Sequence, residues 1–158
     1  MTPGDEIQLV VFRVGAQHFA LNIFQVERIL RYQEPTPLPS APDFLEGMFA
    51  YGDGAVPLID LRKRLGAPAP IRDETRVMVL ELDVGRIGVV ADAVLEVKKL
   101  AAEAIAPPAP LVQGLAAEFI SGIARLDGRT LVVLAVNKLL SSPERVALEA
   151  LTVEVPHE

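Results

Sequence analysis

The chain has 158 residues, no cysteine and a formal net charge of −6. An apolar fraction of 51% and a mean hydropathy of +0.35 exclude global disorder. The acidic balance speaks against indiscriminate nucleic-acid binding, and the missing thiols exclude disulfides and thiolate metal sites, as suits a reducing cytoplasm. The length fits one domain, or two small subdomains sharing a core. Met1 to Glu6 reads as a flexible start without the features of a signal peptide, and no apolar run approaches the roughly 20 residues of a membrane helix. The expectation is a soluble cytoplasmic protein.

The run Ile7 to Val14 is rich in Ile, Leu, Val and Phe and ends at Gly15, as a strand would. Phe19, Leu21 and Ile23 alternate with Ala20 and Asn22, the period of a half-buried strand. Val26, Ile29 and Leu30 lead into a short turn and third strand. Four prolines between Pro35 and Pro42 hold the next segment extended and out of any helix or central strand. Gly47 to Tyr51 and Ala55 to Asp60 flank a Gly52-Asp53-Gly54 turn and read as a hairpin. Leu61 to Leu65 is a helical turn stopped by Gly66, with Arg62-Lys63-Arg64 as a solvated face.

After Ala67-Pro68-Ala69-Pro70 the order repeats. Thr75 to Asp83 is a strand, Val84-Gly85 a turn, and Arg86 to Ala91 and Val94 to Leu100 follow as strands. A second proline-rich connection runs from Ala106 to Pro110. Phe119 to Leu126 and Arg129 to Ala135 form a hairpin about Asp127-Gly128. Pro143 to Leu151 reads as a helix with Ser141 or Ser142 as N-cap and Pro143 at the first helical position, followed by a mobile tail from Thr152 to Glu158. The segment Ala20 to Ile29 has a counterpart at Gly88 to Val97, and the hairpin from Gly47 has one that starts at Gly122. One β-rich unit is thus used twice. The expected subdomains cover about 14–66 and about 75–140 of a single domain at 7–151, with the first strand and the terminal helix open to crossing over. Each small sheet would close into a barrel to remove its edges.

Reactive constellations are scarce. His18 reads as a solvated hairpin residue, and His157 lies in the tail. No local set of histidines and carboxylates points to a metal, and no phosphate-binding or dinucleotide fingerprint points to a cofactor. Asp60 and Asp92 each follow an apolar strand and read as caps of turns or helix starts rather than as a hydrolytic pair. A binding scaffold is the expectation, and an enzyme or small-ligand barrel would need a deep polar cleft.

Several ordered stretches carry a family likeness. They are Leu9 to Gly15, Phe19 to Ile23 with Val26 and Ile29, Thr36 to Pro42 with Gly47, Val56-Pro57-Leu58-Ile59-Asp60-Leu61-Arg62, Gly88 to Val94, and Lys138-Leu139-Leu140. In that order they resemble the CheW family of bacterial chemotaxis coupling proteins over about Ile7 to Leu148. The resemblance implies a mainly β fold of two five-stranded SH3-like barrels on a shared core, with short helices and a C-terminal helix. It also implies a non-catalytic scaffold that links chemoreceptor tips to the regulatory domain of a CheA-type histidine kinase; two self-contained barrels make a monomer the expectation for the isolated protein. By position, Val26, Arg28 and Ile29 with Pro37, Pro39 and Pro42 match the kinase-facing surface. Gly47, Tyr51, Gly52 and Val94 fall at the receptor side or groove. Val26 and Ile29 read equally as plain core.

The chain also departs from the family pattern. Ala50-Tyr51-Gly52-Asp53 stands where the family shows Asn-Leu-Arg-Gly, so the arginine position holds Gly52. Arg28 stands at a glutamate position, and Ala135 where Asp or Asn is frequent. A reversed charge at an interface disfavours the original partner. The alternative reading is therefore a diverged adaptor that has lost one of its two partners and serves another output such as surface motility.

Overall fold

A computed structural model describes residues 5–39, 41–83, 85–107 and 120–154, and of 149–154 the backbone alone. The start before residue 5, the second proline run beyond Pro107, the Phe119 strand start, Val84 and the end of the tail with His157 lie outside the described residues.

The strands are β1 (Glu6–Val14), β2 (Gln17–Asn22), β3 (Val26–Arg31), β4 (Leu45–Tyr51), β5 (Gly54–Asp60), β6 (Arg76–Leu82), β7 (Gly85–Ala91), β8 (Ala93–Ala101), β9 (Ile120–Leu126) and β10 (Arg129–Leu134). Helices α1 (Leu61–Arg64) and α2 (Ser142–Glu154) join them, with 3₁₀ turns at Ile23–Gln25 and Val136–Lys138. Two five-stranded sheets result, in the orders β8-β1-β2-β10-β9 and β3-β6-β7-β5-β4. We call them barrel one and barrel two. The mainly β, two-unit architecture implied by the resemblance is the one observed.

The sheets do not follow the halves of the sequence. Barrel one takes β1 and β2 from the first repeat and β8, β9 and β10 from the second; barrel two takes the complement. The expected subdomain limits at 14–66 and 75–140 are corrected accordingly, because the crossing involves β2, β6 and β7 as well as the first strand. Both sheets keep the same internal plan. The first two strands of each repeat pair antiparallel, and the second of them pairs in parallel with the last strand of the other repeat, β2 with β10 and β7 with β5. The repeat seen in the sequence is thus an exchanged pair about a pseudo-twofold axis.

The exchange explains why Leu9–Phe12 and Val77–Leu80 are apolar without interruption. Leu9 and Val11 point into barrel one, while Val10 and Phe12 join the core shared by the barrels. Val77 and Val79 point into barrel two, while Met78 and Leu80 join the shared core. A strand buried on both faces loses the polar half of its alternation.

The turns follow their chemistry. Asp127 and Gly128 both have positive φ, 53° and 79°, as a two-residue turn matched to strand twist requires. Ser141 and Glu144 form a reciprocal capping box, with the Glu144 carboxylate accepting from the Ser141 N–H at 2.9 Å and the Ser141 hydroxyl accepting from the Glu144 N–H at 3.3 Å. Ser141 is therefore the cap, and Pro143 stands second in the helix rather than first. Helix α2 runs to Glu154, so Thr152 to Glu154, expected in the tail, are helical. No helix among the described residues is long and apolar enough to cross a membrane.

Candidate protein-binding surface

The edge strands β3 and β8 occupy the same place in the two repeats. Val26 on β3 and Val94 on β8 are half-buried against the shared core. Three residues further along each strand the chain reaches solvent, with Ile29 40% and Val97 51% exposed. Ile29 lies beside Met78 and Val97 beside Val10, both core residues, so each continues a core row out to the rim of its sheet. Val26 thus sides with the core, whereas Ile29 is surface. Leu95 is also exposed, at a bulge opposite Val11 and Phe12.

Phe24 is the residue that sequence reasoning missed. It is 90% exposed at the turn between β2 and β3. The Asn22 side chain accepts a hydrogen bond from the Phe24 N–H at 3.0 Å, which turns the chain into a 3₁₀ segment and breaks the strand alternation at Ile23. An aromatic ring is thus presented to solvent on a braced turn. Asn two residues before an aromatic, at a strand end, was the available signal.

Glu27 organises the mouth of barrel two. Its carboxylate accepts from the Tyr51 hydroxyl at 2.5 Å and from Arg86 Nε at 2.8 Å. The Tyr51 bond, with help from Arg86, holds the Glu27 carboxyl below its ordinary range against a lesser upward push from burial. The same bond raises the Tyr51 phenol, and burial adds to it. Arg28, one residue on, is exposed and makes no ion pair among the described residues. Gly52 is exposed with φ of +60°, and a Cβ there would point into open space.

The remaining predicted residues divide. Pro37 and Pro39 are exposed and Pro42 is half-buried, while Leu38 and Ala41 between them pack on the shared core. Gly47 is buried, and a Cβ there would lie 2.5 Å from the Thr36 carbonyl oxygen. Its place is structural, at the bulge where Thr36 and Met48 exchange backbone hydrogen bonds of 2.8 and 2.9 Å. At Gly122, its repeat counterpart, a Cβ would meet the Ile105 side chain at 2.5 Å and the Ala106 carbonyl oxygen at 2.9 Å.

The basic run is not a solvated face. Arg62 is buried between Asp60 and Asp92, Arg64 bonds Glu144 at 2.7 Å, and Lys63 alone is exposed, with Glu46 at 2.9 Å. Asp60 caps α1 by accepting from the Arg62 N–H at 3.0 Å, and Asp92 accepts from the Gly15 N–H at 2.7 Å. Both carboxylates thus serve turns, as read from the sequence. A surface cleft of about 320 Å³ is lined by Asp43, Phe44, Glu46, Asp60, Lys63 and Arg64, and of its charged groups Glu46, Asp60, Lys63 and Arg64 are engaged in these pairs.

The model of the family described as "CheW-like domain" matches residues 8–144. The chain belongs to the CheW family. It is 33% identical to the chemotaxis protein CheW of Klebsiella aerogenes over 149 residues, covering 94% of this chain and 89% of that protein. It is 30% identical to the chemotaxis protein CheW of Treponema pallidum, covering 89% and 85%. The scaffolding protein TtCheW of Thermoanaerobacter tengcongensis superposes with a TM-score of 0.76 at 28% identity, over 89% of this chain and 90% of that one. The family stretches quoted from the sequence fall mainly on β1, β2, β5, α1 and β7, the elements that build the shared core and its caps.

Proposed function

We propose that the chain is a non-catalytic coupling scaffold that joins chemoreceptor tips to the regulatory domain of a CheA-type kinase. The observation that carries this reading is the pairing of a family match over 8–144 with apolar side chains held out on both edge strands, Ile29 and Val97. Isolated exposed apolar residues are ordinary, but two at matched repeat positions, each continuous with the core, suit contacts with two partners. Phe24 adds a braced aromatic of the type that dominates binding energy. Val26, Arg28, Ile29 and the Pro37 to Pro42 segment form the kinase side. Tyr51, Gly52 and Val94 lie on the receptor side or groove, with Gly47 supporting β4, the strand that carries Tyr51. The isolated protein is a cytoplasmic monomer, and it uses no cofactor or nucleic acid.

Arg28 and Gly52 favour a second reading, an adaptor that keeps one partner. Calorimetric titration with the cognate kinase regulatory domain separates the two. The coupling reading expects micromolar binding, weakened by Arg28→Glu and by Phe24→Ser. Absence of binding at high concentration, with binding to a receptor-tip hairpin retained, selects the adaptor; failure with both partners overturns both readings.

A further inference from the structure

The chain passes between the barrels after β2 and again after β7, and the two crossings are built differently. At the second crossing Arg62 is 2% exposed. Its Nε and Nη2 each donate to Asp60 at 3.0 Å, and its Nη1 donates to Asp92 Oδ1 at 3.2 Å and to the Pro70 carbonyl at 3.3 Å. Asp92 in turn accepts from the Gly15 N–H at 2.7 Å, and its own N–H donates to the Arg13 carbonyl at 3.0 Å. One guanidinium thereby ties the end of β5 and the β7–β8 crossing to the linker between the repeats. Through Asp92 it also reaches the β1–β2 turn of the other barrel. Two carboxylates share one guanidinium, and backbone N–H groups take up the remaining negative charge.

At the first crossing the repeat that aligns Gly47 with Gly122 places Asn137 as the counterpart of Arg62, and the repeat that aligns Ala20 with Gly88 places Asp83 as the counterpart of Gly15. There Asp83 and Asn137 meet directly and at the surface, and Arg145 joins them by pairing with the Asp83 carboxylate and donating to the Asn137 carbonyl at 2.9 Å. The Asp83 N–H donates to Asn137 Oδ1 at 3.3 Å, and both residues are exposed. A long bond and an ion pair in solvent stretch at little cost, because water takes up the groups as they part, whereas separating buried charges by an ångström or two leaves them desolvated and unpaired. The planar fork of arginine also fixes the mutual orientation of its acceptors, which a lysine would not.

We propose that Arg62 is a positioning residue that sets the angle between the barrels, so that the barrels pivot at the β7–β8 crossing and adjust at the β2–β3 crossing. The adjustable side carries Phe24 and Val26. On the coupling reading given above, partner binding at that face therefore draws on the fixed geometry at Arg62, although Arg62 touches no partner.

The absence of cysteine allows paired spin labels at Asp53→Cys in barrel two and Thr130→Cys in barrel one, both at exposed positions. Pulsed-EPR distances are recorded in this background, with Arg62→Lys, with Asp92→Asn, which keeps an acceptor for Gly15, and with Asn137→Ala. Circular dichroism establishes folding in each case. The expected result is a shifted or broadened distribution for Arg62→Lys and Asp92→Asn and an unshifted mean for Asn137→Ala. A folded Arg62→Lys or Asp92→Asn protein with the parental distribution overturns the proposal, whatever its melting temperature. Hydrogen exchange in the unmutated chain reads the same point without substitution. The Gly15 amide is expected to exchange only through global unfolding and the Asp83 amide through local opening; equal protection of the two overturns it. Neither readout involves a partner, so their failure is distinct from failure of the coupling reading.

Discussion

Glu27 on β3 and Tyr51 on β4 hold together the two edge strands of barrel two, through a 2.5 Å bond from the phenol to the carboxylate. The bond closes the mouth of the barrel where no backbone ladder joins β3 to β4. A phenol whose pKa is raised on folding stabilises the fold while protonated. That contribution is complete below the unfolded pKa and is lost as pH climbs through the folded value. Tyr51→Phe keeps the edge-on ring contact with Phe49, at 6.5 Å between centroids, and removes only the hydroxyl. In urea melts across the alkaline range, the unmutated protein should lose more stability than Tyr51→Phe. Parallel pH dependence of the two would show that the Glu27 bond contributes nothing.

Gly47 and Gly122 stand at the two bulges that the repeat places in common. Gly47 has φ of +149°, a conformation that L side chains rarely adopt, and a Cβ there would collide with the Thr36 carbonyl. That oxygen accepts the Met48 N–H, so it cannot retreat without breaking the bridge. Gly47→Ala should therefore destabilise by about 2 kcal/mol or more. Gly52→Ala, at positive φ but in open space, should cost about 1 kcal/mol. Chemical denaturation of the pair tests the ranking, and equal losses would remove the structural account of Gly47.

Local pattern made the strands legible, and local pattern is where legibility ended. The alternation of Phe19, Ala20 and Leu21, the glycine turns and the Ser141 cap each depend on a few neighbouring residues, and each was readable. The exchange of strands between repeats depends on which apolar face meets which, and the continuous runs at Leu9–Phe12 and Val77–Leu80 are compatible with several pairings. Arg62 misled because three consecutive basic residues imply solvent, while its second acidic partner lies 30 residues away. Phe24 was missed because it directly follows an apolar strand in sequence, while in space it follows a side-chain cap. Arg28 and Ile29, proposed for the kinase side, are at the surface, whereas Val26 is half-buried against the shared core.

Removing the Arg62 charge while retaining its bulk tests how the buried ions contribute. Arg62→Met would leave Asp60 and Asp92 facing each other at the second crossing without a cation. Breaking a buried pair by deleting one partner typically costs about 3–5 kcal/mol, since the remaining charge is desolvated and unpaired. The expected loss in urea denaturation is of that size. Adding Asp92→Asn should recover part of it, because one of the two stranded charges is then gone while Gly15 keeps an acceptor. Additive losses in the double variant would mean that the carboxylates do not interact through Arg62.

Helix α2 is fastened by a carboxylate, and acid should loosen it first. Burial pushes the Glu144 carboxyl up, but the bond from Arg64 and that from the Ser141 N–H outweigh it and leave the group below its ordinary range. A carboxylate depressed on folding contributes stability above its unfolded pKa, and that contribution disappears as pH falls through the folded value. Arg64 stands in α1 of barrel two, and Leu148 on the next turns of α2 is buried in the shared core. Protonating Glu144 therefore weakens the ion pair and the capping box together and leaves Arg145, which pairs with Asp83 and donates to the Asn137 carbonyl, to hold the start of the helix. Hydrogen exchange of the α2 amides, followed from neutral pH down past the carboxylate range, should show the helix opening before the β1 and β6 core. In Glu144→Gln, which keeps a capping acceptor but no charge, the helix should already be loosened at neutral pH and change little on acidification. If the amides of α2 and of the core strands lose protection together in both proteins, helix docking does not depend on Glu144.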